Sequence, residues 1–312
     1  MHAVVNVAIP VFAIMLAGYL AGRFRLLGGE ASGALNAFVY WFAMPPLLFL
    51  SMARVPFDQI FDWPFIASFA LGMAATAALS LLVARLFFPN SFSGTSLHVL
   101  TATFANTGYM GIPLMLAAYG GGGALPAIIT TAFNSAVIIG LAILLVEFGT
   151  SGAAGTGKAL RDAVVAVAKG PLFLAPLAGI LWQWADLPLP LWFVNFGELM
   201  GDAAGPCALF AMGLFLVGKP VSSGVGEVSW MVALKLLVQP ALTWLLAVYA
   251  FDLTLEMTRG AVLMAALPTG ALSFVVAQRY GIFVQRSSAA ILFSTLASVI
   301  TVSAVLAWFG TG

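Results

Sequence analysis

Apolar residues fall along the chain in ten blocks, each near the twenty or so residues an α-helix needs to cross a bilayer. In the first half they cover residues 3–22, 32–52, 65–88, 96–118 and 125–148. In the second they cover 164–184, 191–218, 229–251, 258–278 and 287–309. The connections are short and polar, and the longest, 149–161, is rich in Gly, Ala, Ser and Thr. This pattern predicts an all-α membrane protein: a five-helix unit over 1–148, a cytoplasmic linker over 149–163 and a second five-helix unit over 164–312.

The fourth and ninth blocks are each interrupted by proline. One holds Asn106-Thr107-Gly108-Tyr109-Met110-Gly111-Ile112-Pro113, the other Leu267-Pro268-Thr269-Gly270-Ala271-Leu272-Ser273. Proline inside a helix removes a backbone donor and unseats the carbonyl four residues earlier, here those of Tyr109 and Met264. In hydrocarbon such a freed group costs several kcal/mol unless protein, water or ligand satisfies it. Interrupted spans at matching positions of two halves point to a transport site.

An odd number of spans per half requires the halves to lie upside down relative to each other. Charge supports this inversion. With the N-terminus outside, the inner loops carry Arg23, Arg25, Arg85, Lys158, Arg161, Lys169, Lys219, Arg279 and Arg286, whereas the outer side carries Arg54 and Arg259. Positive residues mark the cytoplasmic side, so both termini are expected outside the cytoplasm, in a bacterial inner membrane. The acids Asp58, Asp62, Asp186, Asp252 and Glu256 fall on the outer side. An eroded internal repeat agrees: Met44-Pro45-Pro46 and Gly205-Pro206-Cys207 each precede an apolar run, and Tyr119-Gly120 and Tyr280-Gly281 each follow an interrupted span.

Composition excludes a soluble protein. Hydrophobic residues make up 62% and charged residues 7%, against about 45–50% and 25% in soluble domains. A net charge of +1 gives no case for nucleic acid. The single cysteine, Cys207, fits a packing role, and His2 and His98 form no catalytic pattern. No metal-ligand cluster, nucleophile motif or nucleotide-binding loop is present, so no enzyme and no cofactor are expected. The apolar N-terminal run lacks a signal peptide's basic flank and cleavage site and reads as the first span.

Candidate chemistry concentrates at the interruptions. Gly108 and Gly111 allow close approach of backbone or ligand, while Asn106 and Thr107 supply an amide and a hydroxyl. The half-helix beginning near Pro113 is expected to present free N–H groups and a positive dipole end, suited to a carboxylate. Tyr109 lies within the same run. The second interruption repeats the scheme with Pro268, Thr269, Gly270 and Ser273. Lys235 is the one cation inside a span, with Gln239-Pro240 a turn later; it either faces a cavity or snorkels to the inner surface. Asn134 and Ser135 read as interhelical glue or pathway lining. Pro45-Pro46 and Pro206 read as kinks, Asn36 as a cap, and Glu198 with Asp202 as a solvated helix end.

The run Asn106-Thr107-x-x-Met110-Gly111-Ile112-Pro113-Leu114 resembles the first crossover of the auxin efflux carrier family. Leu267-Pro268-x-Gly270, continuing to Phe274-Val275-x-Ala277-x-x-Tyr280, resembles its second, and Asn36-x-Phe38 with Pro45-Pro46 also fits. The resemblance implies ten helices in two inverted five-helix repeats, with broken fourth and ninth helices crossing at the substrate. It also implies a homodimer and an elevator-type shift of a transport domain against a scaffold. On this resemblance Asn106 contacts a substrate carboxylate, whereas Leu272 stands where many bacterial relatives carry asparagine. The long cytoplasmic loop of many plant carriers is absent. The expected function is a secondary transporter exporting a small organic anion, such as a dicarboxylate or an auxin-like acid. The alternative is a sodium-coupled symporter of the bile-acid carrier type using oxygens of Thr107, Thr269 and Ser273; a non-transporting receptor ranks third. Expected partners are the anion and the lipid bilayer, with sodium or proton coupling open.

Overall fold

The structure, a computed structural model, describes residues 7, 9–54, 62–151, 157, 161, 165, 168–218 and 224–310. His2, Asp58, Lys158, Lys219, most of the 149–163 linker and the side chain of Ser135 lie outside the described residues.

Among the described residues, five helices are long and apolar enough to cross a membrane: Glu30–Ala53, Trp63–Phe87, Thr107–Phe133, Val225–Ala250 and Val284–Phe309. Shorter apolar helices include Ile9–Arg23, Gly140–Thr150 and Pro171–Trp184. Of the ten expected blocks, the fourth and ninth are divided into half-helices that fall short of a span. Thr107–Phe133 in turn contains a chain reversal at Gly120, whose φ of +58° suits glycine.

In chain order the helices are α1 (Ile9–Arg23), α2 (Gly29–Phe38), α3 (Met44–Ala53), α4 (Trp63–Phe87), α5 (Phe92–Thr103), α6 (Ile112–Tyr119), α7 (Ala124–Phe133) and α8 (Ile139–Ser151). There follow α9 (Pro171–Trp184), α10 (Leu191–Phe215), α11 (Val225–Ala233), α12 (Gln239–Leu245), α13 (Leu255–Ala265), α14 (Leu272–Tyr280) and α15 (Val284–Phe309). Wide π turns at Val39–Ala43, Thr107–Gly111, Asn134–Ile138, Leu234–Val238 and Leu246–Ala250 are built into these spans. Side-chain caps fix several starts: Asp62 accepts from the Phe65 N–H at 2.9 Å, and Ser91 from that of Gly94 at 3.1 Å.

The helices pack as two groups. In one, α10 lies against α1, α2 and α3, and α9 lies against α3. Glycines set its closeness: a Cβ on Gly18 or Gly213 would enter the facing backbone carbonyl of Phe210 or Met15. In the other group α4 and α8 flank α5, α12 joins α4 to α13, and α15 packs on α11 and α14. The groups meet where α10 packs on Thr107–Gly111 and α6, and where α3 and α9 approach α7.

Two expectations need correction. The first interruption lies at Phe104–Asn106, not at Pro113. Helix α5 ends at Thr103 and helical structure resumes at Thr107. Pro113 is the second residue of α6, directly after a π turn in which the Ile112 N–H bonds the Thr107 carbonyl. Near a helix start a missing N–H is tolerated, so this proline continues the helix instead of breaking it. Pro268, by contrast, does lie between Ala265 and Leu272. Asn36 is not a cap, because α2 begins at Gly29; its amide reaches the Ser32 hydroxyl at 3.5 Å.

Candidate functional site

The two interruptions satisfy each other. The Asn106 N–H donates to the Pro268 carbonyl and the Gly270 N–H to the Phe104 carbonyl, both at 2.9 Å. This makes an antiparallel bridge between Ala105 and Thr269, the one β-type pairing among the described residues. Backbone groups that a broken helix would strand in an apolar interior are thereby paired. Glycine is required at the meeting point. A Cβ on Gly270 would lie 2.5 Å from Phe104 Cε1, and one on Gly111 would lie 2.6 Å from Met264 Cε.

Hydroxyls proposed for the site are largely committed to this scaffold. The Thr269 N–H donates to Ser294 Oγ and its Oγ1 to the Thr101 carbonyl, each at 3.0 Å. Ser273 Oγ donates to the Gly270 carbonyl at 2.8 Å. Thr107 Oγ1 accepts from Asn134 Nδ2 at 3.3 Å, which ties the start of the half-helix to the fifth span. Lys235 is fully buried and donates to the Ala265 carbonyl, the last residue of α13. It therefore holds a half-helix C-terminus, where a cation is favoured, and does not snorkel to the surface.

What stays open is specific. Asn106 is 3% exposed, and its Nδ2 has no partner. Its carbonyl accepts from Met110 and Gly111, so the Gly108 and Tyr109 N–H groups head the half-helix with no earlier turn to bond. Both residues are half-buried. Ala271 and Leu272 head the second half-helix in the same way. Gln239 is buried with neither amide atom paired, as is Asn134 Oδ1. Pro113 faces Gly205 of α10, so the first half-helix touches the other helix group. Buried donors without protein acceptors, at two helix N-termini, are suited to an anion.

Residues 3–306 match the family described as "Membrane transport protein". The chain belongs to this family. A proposed malonate transporter of Rhizobium meliloti (strain 1021) is 31% identical, with 98% of this chain and 96% of that protein covered. The transporter YfdV of Escherichia coli (strain K12), itself uncharacterized, is 28% identical over 94% of this chain and 93% of its own. Auxin efflux carrier component 5 of Arabidopsis thaliana is 23% identical over 96% and 94%. The resemblance seen at the two interruptions thus extends over the whole chain. Family membership makes the protein a transporter and not an enzyme, set in the membrane by its apolar helices.

One cluster in this family member escaped the sequence reading. His98, on α5, is wholly buried and places Nδ1 2.7 Å from Glu227 Oε1 on α11. Asn90 Nδ2 donates to the same oxygen at 2.8 Å, and Arg286, in the first turn of α15, donates to Oε2 at 2.8 Å. Arg286 also bonds Asn90 Oδ1 at 2.8 Å. Glu227 drew no notice because it lies just ahead of an apolar block. The usable signal was its eight-residue spacing from Lys235, which puts both charges on one side of the eighth span. Glu198, in contrast, pairs with Arg54 at 2.7 Å with both side chains about half exposed, a solvated helix end as expected.

Proposed function

We propose that the chain is a secondary carrier that moves small carboxylates across the membrane by alternating access, with one carboxylate held at the first interruption. Asn106 Nδ2 and the Gly108 and Tyr109 N–H groups are its donors, and Thr107, Gly111 and Pro113 shape the approach. The observation that carries this reading is the buried, unpartnered Asn106 amide at the head of a half-helix. Pro268, Thr269, Gly270 and Ser273 brace that head through the paired backbones, and the N–H groups of Ala271 and Leu272 present a second anion position. Two such positions suit a dicarboxylate, in keeping with the malonate named for one relative.

The wider architecture in this proposal is ten helices in two inverted repeats, with the fourth and ninth crossing. The reciprocal hydrogen bonds between Asn106 and Pro268 and between Gly270 and Phe104 support it. The division into two helix groups supports a scaffold and a sliding bundle. A largely apolar groove of about 680 Å³ between α1 and α15, lined by Phe12, Leu16, Leu292 and Leu296, leaves them loosely joined on one side. A homodimer with both termini outside the bacterial inner membrane completes the proposal.

Purified protein in liposomes preloaded with malonate should take up labelled malonate by counterflow. Asn106→Ala should cut that uptake at least tenfold, the loss expected for a charge-assisted hydrogen bond of about 1.5–3 kcal/mol. Asn106→Ala protein that is folded by thermal unfolding yet transports with unchanged kinetics refutes the site.

A further inference from the structure

We propose that His98, held by Glu227, binds a proton that crosses the membrane together with the carried anion. This inference rests on the carrier reading and adds its coupling ion. A carboxylate accepts only, so His98 meets the Glu227 oxygen with Nδ1 protonated. The open position is then Nε2, which is buried and has no partner. Glu227 and Arg286 cancel in charge, so a proton on Nε2 makes the cluster a net cation. Phe88 and Phe283 flank the ring, with centroids 5.9 and 6.1 Å away, and keep that charge in a poorly solvated place.

A hydrogen-bonded path reaches the opposite ring nitrogen, Nδ1, from the edge of the bundle. The Arg286 side chain is 35% exposed and Asn90 is half-buried, and both bond the buried Glu227. The path therefore starts at an aqueous edge of the bundle and ends inside it. One helical turn beyond His98, Thr101 Oγ1 meets Ser287 Oγ at 3.1 Å, and the Thr101 carbonyl accepts from Thr269 in the second interruption. Histidine and the anion site are therefore joined by one rigid helix and its polar face.

Other charges around α5 are accounted for among the described side chains. On α4, Arg85 lines an outer groove; on α14, Arg279 lies over Tyr280; at the π turn of the eighth span, Lys235 is bound to Ala265. Among them Lys235 has its donor committed to the Ala265 carbonyl, and the two arginines stay protonated. From His98 to Thr103 the chain advances five residues, roughly 7.5 Å at the helical rise, and the three non-helical residues to Asn106 bring the span to at most about 17 Å. At that separation and an effective dielectric near 20, a cation strengthens binding of an anionic charge about fivefold. By reciprocity the bound anion strengthens proton binding equally. Affinity for the anion therefore rises as pH falls, and each proton offsets one negative charge of the anion it crosses with.

The test uses the full chain in liposomes. With labelled malonate, an inward proton gradient should raise peak accumulation several-fold over equal pH. His98→Gln should abolish that gradient drive, bringing uptake with the gradient down to uptake at equal pH. A wild type indifferent to the gradient, or His98→Gln protein still driven by it, overturns the proposal. Because the chain has two histidines, His2→Gln leaves His98 as the single one for histidine-labelled NMR in nanodiscs. Its ring signals should change with pH, and malonate should displace that change. Ring signals that stay constant throughout overturn the proposal even where His98→Gln fails to fold. Absence of malonate counterflow at equal pH instead refutes the substrate reading, and the NMR titration without malonate still decides whether His98 takes the proton.

Discussion

Gly270→Ala places one methyl group where the two interruptions touch. Its Cβ would stand 2.5 Å from Phe104 Cε1, 2.7 Å from Phe104 Cδ1 and 3.1 Å from the Ala105 carbonyl oxygen. Carbon contacts are comfortable near 3.5–4.0 Å, so Phe104 must retreat by about 1 Å. It has little room, being 5% exposed within a cluster of Leu97, Leu100, Ala142, Val146, Val276 and Ala277. Its own carbonyl accepts the Gly270 N–H. Overpacking of this kind costs about 1–3 kcal/mol, and a weakened bridge hydrogen bond adds about 1 kcal/mol. The sum, about 2–4 kcal/mol, corresponds to a fall in Tm of roughly 3–6 °C. Tryptophan-monitored unfolding in detergent measures it, with malonate counterflow beside it. Gly140→Ala is the control: its Cβ meets nothing within 4 Å in α8, so helix propensity should raise stability by up to about 1 kcal/mol. A Gly270→Ala protein with wild-type Tm and counterflow refutes the tight pairing.

Lys235→Met should lower Tm by removing the donor that holds the Ala265 carbonyl, although loss of a buried charge offsets part of that cost. Wild-type counterflow should not change when sodium replaces choline, because the ammonium already occupies that carbonyl end; sodium-dependent uptake would refute this role. Arg54→Ala removes an ion pair with both side chains about half exposed, so stability should move by less than about 1 kcal/mol, within the scatter of repeated unfolding scans.

Helix content was legible because hydrocarbon demands long apolar runs whatever their packing. Pro268 was legible as an interruption, since no helix could bond through it there. Pro113 misled for a local reason: the π turn at Thr107–Gly111 changes the hydrogen-bond register, and nothing in the residue types announces a π turn. At the site, Asn106 stood out as an amide in an apolar block. The engagement of Thr269 and Ser273 did not, because their acceptors, Thr101 and Gly270, are identified only by folding. His98 and Glu227 are 129 residues apart in the chain, and a pairing at that distance leaves no periodic trace.

The reciprocal bridge between the interruptions also sets an order of assembly. Phe104 and Asn106 leave the ribosome about 160 residues before Pro268 and Gly270, their backbone partners. At about 5–20 residues per second this is a wait of roughly 8–30 seconds. During that interval the first break has an unpaired donor and acceptor at membrane depth, and it must stay near the translocon, water or a chaperone. Neither half of the chain can satisfy its own interruption alone. Each half made separately should be degraded, and the two made together as split fragments should rescue one another.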